Sequence, residues 1–245
     1  MLKYKIFIPV TAQVQPFRDC IAKVPDKTKL CVINNFDNPE IAVTCKELEQ
    51  QGAEIEYFPW NPGVAPSFNF AMKKLDNYSW NLDIVIILSP VCLFDNTVED
   101  FVERLELEEA KEKRYYYNAP SPQFLSDMHC IAFTKKMYYE FGLWDENLQP
   151  YGYDDMDTQY RLGLMGAKTD MLYGVKRASQ KLGQGIGSDA RLTAHFQNSV
   201  GYQSDYYRRK WGGDHTKEIF KTPFNNPFLK PKDWTLEVPK IARLA

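Results

Sequence analysis

The chain has 245 residues, of which 44% are hydrophobic and 14% aromatic. This is enough apolar side chain for a packed core, which excludes wholesale disorder, and the length suits one large α/β domain or two small ones. The formal net charge of −2 gives no long-range field for holding nucleic acid or an anionic membrane, so we expect neither as a partner.

The cysteines and the hydrophobic runs bear on where the protein resides. Five cysteines form no Cys-x-x-Cys pair and are odd in number, which favours reduced thiols over a disulfide framework. The N-terminal sequence MLKYKIFIPVT has too short an apolar run for a signal peptide, and the longest later run, IVIIL, cannot span a bilayer. We therefore expect a soluble, cytoplasmic protein with no membrane span.

The first third alternates short β-branched runs with stretches of helical periodicity. Asp37 and Ser67 are predicted helix caps. Strand–helix alternation with short joins favours a doubly wound, mostly parallel sheet of the Rossmann-like type. The predicted strands are 5–10, 29–35, 54–58 and 83–89, and the predicted helices are 16–24, 39–51 and 67–75.

Fewer helices and strands are predicted in the rest of the chain than in its first third. We expect a helix over 96–113 with Asn96 as its cap and Glu99 completing a capping box. A strand over 129–136, a helical turn over 138–142, a glycine-rich loop over 174–190 and an irregular C-terminal wrap from residue 212 follow. With no internal repeat or interdomain linker, the chain reads as a single domain.

Several predicted strands end in polar or proline-marked segments. Ligands bind open parallel sheets at the carboxyl ends of the strands, where the strand order reverses. The same residue types also form ordinary turns, so both interpretations stay open. A dinucleotide site is disfavoured because no Gly-x-Gly-x-x-Gly follows the first strand. The segments concerned are Pro9–Thr11, Asn34–Asn35, Pro59–Asn61 and Ser89–Val91.

The sequence PYGYDDMDTQYRLGLMGAK, residues 150–168, places Asp154, Asp155 and Asp157 at the head of a predicted helix. An acidic first turn is favoured by the helix dipole, so this cluster is a cap, a metal site or the base of an enzyme. Asp157 precedes Arg161 by four residues, which puts both on one helix face and predicts an ion pair.

Sequence blocks in a fixed order resemble family 2 glycosyltransferases of the GT-A fold, with a rhamnosyltransferase-like branch the most similar. The blocks are IFIPVT, CVINNFDNPEI, NPGVAPSFNFAM, DIVIILSPVCLF, FGLWDENLQPYGYDDMDTQYRLGLMGAK and HFQNSV…SDYYRRKWGG. The resemblance covers roughly residues 4–213 and is most specific over 142–166. It implies transfer of a sugar from a nucleotide-diphosphate donor to a hydroxyl of a glycan or glycoconjugate acceptor, with inversion.

The resemblance also implies roles for the acidic pair. Asp155 matches the second position of the family's pair and is the candidate general base, because the acceptor hydroxyl must lose a proton as it attacks. Asp154 replaces the usual Glu and is expected to position the acceptor or its loop.

On the donor side, the resemblance matches two groups of residues to donor binding. Thr11 and Asn34 match contacts to the base and ribose, and the family's N-x-G…N block matches Asn61 and Asn69. The strand-end segments add Pro9, Ser89 and Val91 to the candidates. Lys176, Arg177 and Lys181 are candidates to meet the diphosphate charge.

At the fourth strand the chain departs from the family. Ser89-Pro90-Val91 stands where the family has an Asp-containing motif for Mn²⁺ or Mg²⁺, and hard cations prefer charged oxygen ligands. Asp95 and His195 are the remaining metal-ligand candidates, and His195 also matches a position near the diphosphate. Metal dependence is therefore expected to be weak.

Three readings of the whole chain follow. The first is an inverting glycosyltransferase with a donor half at about 1–95, a catalytic half at about 96–213 and an extension at 214–245. The second is a non-catalytic relative that binds a sugar nucleotide or a glycan, and the third is an unrelated α/β enzyme or interaction protein. The aromatic residues Trp211, Phe224 and Trp234 are either an acceptor platform or core, and Arg208–Lys210 are expected on a solvated face.

Overall fold

The computed structural model describes residues 2–35, 38–58, 61–111, 116–118, 129–148, 152–167, 169–171, 174–177 and 190–235. Within these residues, seven strands form one sheet in the order β3-β2-β1-β4-β7-β6-β8, and β5 pairs with β9 in a two-stranded ribbon. The strands are β1 (Tyr4–Val10), β2 (Leu30–Asn34), β3 (Glu54–Tyr57), β4 (Ile84–Leu88), β5 (Cys92–Phe94), β6 (Tyr116–Asn118), β7 (Cys130–Thr134), β8 (Thr169–Met171) and β9 (Val175–Arg177).

The predicted doubly wound, mostly parallel α/β sheet is confirmed. Strands β1 to β4 are parallel to one another, whereas β7 runs antiparallel to β4 and β6 antiparallel to β7. All residues of β2 and β4 are buried, as expected for strands covered on both faces. The strand order reverses between β1 and β4, because β2 and β3 lie on one side of β1 and β4 lies on the other.

Helices cover both faces of the sheet. They are α1 (Val14–Ala22), α2 (Pro39–Gln50), α3 (Val64–Lys73), α4 (Val98–Lys111), α5 (Asp154–Leu164) and α6 (Ala190–Trp211). One core cluster joins Ile8 of β1 to Phe17 of α1 and Phe101 of α4. The cluster on the opposite face joins Phe7 of β1 to Phe68 of α3 and is continued by α5. Neighbouring residues of β1 thus enter opposite cores, as the pleat requires.

Three of the predicted helix caps differ from those in the structure. The α2 cap is Asn38, whose side chain accepts from the N–H groups of Glu40 and Ile41, and Asp37 lies outside the described residues. Helix α3 begins at Val64, so Ser67 lies inside it and is not a cap. The α4 capping box is one residue later than predicted, as shown by the reciprocal hydrogen bonds of Thr97 and Asp100.

The C-terminal third also departs from expectation. Helix α6, of 22 residues, was not predicted. Part of the expected 174–190 loop is β9, which pairs antiparallel with β5. The 212–235 segment contains only short 3₁₀ turns among its described residues, which agrees with the predicted irregular wrap. All five cysteines are buried and outside any disulfide bond, and no helix of the described chain is long and apolar enough to cross a membrane.

Candidate functional site

The carboxyl ends of β1 to β4 lie along one edge of the sheet. Thr11 follows β1 and Ser89 follows β4, so these two residues flank the point where the strand order reverses. Pro9, within β1, is half-buried like both of them. The Thr11 hydroxyl donates to Gln13 Oε1 at 3.1 Å and retains its lone pairs for a ligand. This edge therefore has the place and the polarity of a ligand site.

Asn34 and Asn35 mark the end of β2. Asn34 is the last strand residue and is buried, and its neighbour Asn35 is 3% exposed. The Asn35 amide donates to Ser67 Oγ at 2.8 Å, and that hydroxyl donates to the Gly63 carbonyl oxygen at 2.8 Å. Asn35 Oδ1 has no hydrogen-bond partner among the described residues. A buried acceptor without a partner is costly, so Asn35 Oδ1 is available to a donor group from a ligand.

Asn61 and Asn69, matched to one sequence block, lie in different environments. Asn61 Oδ1 accepts from Gly63 N–H at 3.0 Å and shapes the turn into α3, where Gly63 has a φ of 87°. Asn69 is 1% exposed, and its carbonyl oxygen accepts from Trp144 N–H while its amide donates to the Trp144 carbonyl oxygen and to Glu146. Its hydrogen bonds hold the 143–148 loop, which is a structural task.

The end of β4 offers a divalent metal few ligands. Val91 is buried, and the Ser89 N–H donates to the His129 carbonyl oxygen at 2.7 Å. Asp95 follows β5 and is exposed. Among the described residues, no group of three or more His, Cys, Asp or Glu side chains is arranged to hold a metal ion. The described donor set therefore does not fit Mn²⁺ or Mg²⁺ at this strand end.

Four sequence-predicted residues fall partly or wholly outside the described structure. The backbone of Lys176 and Arg177 forms β9 against β5, which continues from the Ser89 turn. His195 lies in α6. The side chains of these three residues, and all of Lys181, lie outside the described residues. Their roles towards the diphosphate stay predictions.

The acidic pair lies at the start of α5, as predicted. Gly152 and Tyr153, just before the helix, have φ values of 110° and 63°. A left-handed Tyr is uncommon, and its ring is held against Tyr207 with the ring centroids 5.3 Å apart. The turn directs the Gly152 N–H to Asp154 Oδ1 at 2.8 Å. Tertiary packing thus maintains the backbone that presents the pair.

The two carboxyl groups have different surroundings. Asp154 is 7% exposed, and burial, followed by the nearby charge of Asp155, raises its pKa to about 7. Asp155 is half-buried, and its Oδ1 accepts from the Met156 N–H at 2.8 Å. A more accessible carboxylate therefore stands beside a buried one that exchanges its proton near neutral pH.

Beneath this pair is a network of buried charges. Asp157 and Arg161 form the predicted i,i+4 ion pair at 3.7 Å, with both side chains almost fully buried. Lys210 of α6 lies 2.7 Å from Asp157 Oδ1 and 2.7 Å from Asp145 Oδ2. Burial opposes ionisation of Asp145, but the charge and hydrogen bond of Lys210 outweigh it and lower the pKa of Asp145. The network fastens the 143–148 loop and α6 to α5.

Some residues are buried or located differently from the sequence prediction, and one was not predicted at all. Lys210 is 0% exposed, so the expected solvated face holds only for Arg208 and Arg209. Trp211 and Trp234 are buried core residues, whereas Phe224 is 41% exposed. The antiparallel direction of β7 places His129 beside Ser89 at the carboxyl end of β4. No local sequence signal gives a strand's direction, so this residue was missed.

Solved structures of other proteins align with this chain. GalNAc-T7, solved with UDP, GalNAc and Mn²⁺, aligns with a TM-score of 0.55 and 12% identity over 89% of this chain and 54% of that one. The chain has a GT-A-like fold. It spans about half the length of that solved chain. Lower scores, 0.47 and 0.34, belong to a cytidylyltransferase from Leptospira borgpetersenii serovar Hardjo-bovis (strain JB197) and to apo mouse xyloside xylosyltransferase 1.

These two alignments are also distant in sequence. The cytidylyltransferase is 11% identical over 73% of this chain and 79% of that one, and the xylosyltransferase is 8% identical over 55% and 68%. No protein-family model and no curated protein matches the chain. At 12% identity the likeness to GalNAc-T7 establishes the fold alone, and nothing in it supports the rhamnosyltransferase-like branch.

Proposed function

We propose that this protein is a glycosyltransferase that moves a sugar from a nucleotide-diphosphate donor to a hydroxyl of a glycan or glycoconjugate acceptor, with inversion. The observation that carries the proposal is the acidic pair Asp154–Asp155 at the start of α5, held by the left-handed Tyr153 and by the buried network around Lys210. The fold is that of a protein solved with UDP, GalNAc and Mn²⁺, and we extend nucleotide-sugar chemistry to this chain on that basis.

The donor occupies the carboxyl edge of the sheet in this proposal. Thr11 and Asn34, with the unpartnered Asn35 Oδ1, contact the nucleoside, because an N–H or O–H of the nucleoside satisfies that buried acceptor. Pro9, Asn61, Ser89 and Val91 line the same edge. The diphosphate is met by Lys176, Arg177, Lys181 and His195, since the described residues of the β4 end supply no carboxylate for a metal.

In the reaction, Asp155 takes the proton of the acceptor hydroxyl. The acceptor oxygen forms a bond to the anomeric carbon as the bond from that carbon to the diphosphate oxygen breaks, and the leaving diphosphate carries away the electron pair. Asp154 is buried at the same start of α5, and we assign it to positioning the acceptor or its loop.

A donor panel tests this function. The purified protein is incubated with UDP-, GDP-, dTDP- and CMP-linked sugars, and released nucleotide is measured with and without a panel of soluble glycosides. We expect release from one donor class, accelerated by an acceptor, and a product of inverted anomeric configuration by NMR. Binding of a sugar nucleotide with no turnover under any condition would instead identify the non-catalytic relative.

A further inference from the structure

A group of aromatic side chains on α6 and the C-terminal segment is joined, through Asp145 and Lys210, to the buried charges of the first turn of α5. Trp211 of α6 donates from Nε1 to Asp157 Oδ1 at 2.7 Å, and Tyr207, one turn earlier in α6, packs on Tyr153 just before α5. Tyr207, which is nearer the N-terminus of α6 than Trp211, therefore lies nearer the start of α5.

Tyr206 joins this patch to the 143–148 loop. Its hydroxyl donates to Asp145 Oδ2 at 2.8 Å, and Asp145 also accepts from Lys210. The Tyr202 ring stacks on the Tyr206 ring with centroids 6.3 Å apart, and the Phe224 ring packs edge-on against Tyr206 at 6.0 Å. The three rings thus form one contiguous aromatic group anchored to the loop.

The exposed member of the group is held by an unfavourable backbone. Phe224 and its neighbour Asn225 both have a φ of 55°, in the left-handed region. Asn tolerates this region but Phe seldom adopts it, and such residues cluster at functional sites. Despite its contact with Tyr206, the Phe224 side chain leaves 41% of the residue exposed. An unfavourable backbone conformation therefore accompanies an exposed aromatic surface at Phe224.

A polar group completes the arrangement. The Tyr202 hydroxyl oxygen is buried and has no hydrogen-bond partner among the described residues. Burial raises the pKa of Tyr202, so the hydroxyl is protonated at neutral pH and able to donate. An exposed aromatic ring, joined through Tyr206 to a ring with an unpartnered hydroxyl, fits a ligand with one apolar face and a rim of hydroxyl groups.

We propose that Phe224 and Tyr202 form the acceptor subsite, in which a pyranose ring lies with its C–H face on Phe224 and a hydroxyl bonded to Tyr202. This inference rests on the proposed function, because it takes the Asp154–Asp155 pair as the reacting centre. The ligand class is a neutral carbohydrate, since a pyranose has the required apolar face and polar rim.

Glycan binding in the absence of donor tests the subsite without requiring turnover. The wild-type protein and its variants are applied to an array of immobilised mono-, di- and trisaccharides. We expect the wild type to bind at least one glycan, Phe224→Leu to bind it about tenfold more weakly, and Phe224→Trp to retain binding. Phe224→Leu preserves apolar packing on Tyr206 while removing the aromatic face, and thermal melting verifies that it folds.

A neighbouring residue supplies the matched control. Phe228 lies in the same segment and is 89% exposed, so Phe228→Ala removes an exposed ring from outside the aromatic group and leaves glycan binding unchanged. Tyr202→Phe keeps the ring and loses the hydroxyl, with an expected loss of about threefold to tenfold. No glycan bound by the wild type, or equal binding by Phe224→Leu, would overturn the subsite.

The two proposals fail in different ways. Glycan binding that depends on Phe224, with no donor turnover, keeps the subsite and contradicts the glycosyltransferase reaction. Turnover with an acceptor KM that is the same in Phe224→Leu and wild type keeps the reaction and places the acceptor elsewhere.

Discussion

Lys210 Nζ lies 2.7 Å from Asp157 Oδ1, and both side chains are almost completely buried. The same ammonium donates to Asp145, so one cation from the end of α6 holds both the 143–148 loop and the first turn of α5. Such a network costs desolvation energy and contributes little net stability, but removing one partner leaves a buried charge uncompensated. Its consequence here is to fix the start of α5, where Asp154 and Asp155 lie.

We expect Lys210→Met to destabilise the protein by about 3–5 kcal/mol, because the buried Asp145 loses its cation and Asp157 keeps only Arg161. Chemical denaturation measures the free energy of unfolding. Arg209→Met is the matched control, since Arg209 is adjacent but exposed, and its effect should stay within about 0.5 kcal/mol. Equal effects of the two substitutions would show that the buried network does not govern stability.

Asp155→Asn should leave folding and donor binding nearly intact and lower kcat by about 10²–10⁴-fold, the typical loss of a general base. Steady-state transfer assays and titration of the donor measure the two effects separately. Asp19→Asn, an exposed substitution in α1, serves as the control and should retain full activity. A folded Asp155→Asn protein with near-normal turnover would remove Asp155 from this role.

Asp154→Asn should change the pH dependence of stability. The folded-state pKa of about 7 exceeds the ordinary value of 3.8, so the native state holds a proton that the unfolded chain releases. Asp154 therefore destabilises the wild type progressively as pH rises from about 4 to 7, and by a constant amount, on the order of 4 kcal/mol, above that. The Asn variant lacks this penalty and should gain stability relative to wild type across that interval.

Thermal and denaturant unfolding of both proteins between pH 4 and pH 8 measures this difference, because titrations common to the two proteins cancel. A difference in unfolding free energy that does not vary with pH would contradict the raised pKa of Asp154.

Donor binding should depend weakly on divalent metal. The β4 end presents Ser89 and the buried Val91, and neutral ligation suits Mg²⁺ and Mn²⁺ poorly. Titration calorimetry with the tightest-binding member of a UDP, GDP and dTDP panel should give affinities within about tenfold of each other in Mn²⁺ and in EDTA. If micromolar Mn²⁺ increased the nucleotide affinity by much more than tenfold, the protein would have a metal site and the prediction would be wrong.

Val91→Asp supplies the missing charge and should increase the Mn²⁺ dependence of nucleotide binding. Val91→Asn is its control, because Asn is similar to Asp in shape and polarity but carries no charge. Equal metal dependence in the two variants would show that position 91 does not face the diphosphate.

Gly142→Ala should destabilise the protein by more than an ordinary surface substitution. Gly142 has a φ of 83°, and an added Cβ would meet the Lys232 carbonyl oxygen at 2.5 Å. The substitution therefore strains the backbone and displaces the C-terminal segment. Gly163→Ala is the control, since a Cβ at this helical glycine meets nothing within 4 Å and should stabilise α5 slightly. Unfolding midpoints of the two variants measure the contrast.

The sequence by itself determined the features that depend on neighbouring residues. Short β-branched runs specified β1 to β4, and their alternation with helices specified the mostly parallel sheet. The Asp157–Arg161 ion pair followed from i,i+4 spacing, which is a property of one helix. The acidic pair was also found in sequence, although its catalytic role stays a prediction.

Only the tertiary structure decided the features that need distant partners. Lys210 looked like part of a solvated basic cluster until α6 placed it between Asp145 and Asp157, because burial of a charge depends on compensating groups far away in the chain. The direction of β7, which brings His129 to Ser89, depends on pairing with β4 and leaves no periodic signal. The pKa of Asp154 likewise reflects packing around the start of α5, since spacing along the chain gives charge repulsion but not desolvation.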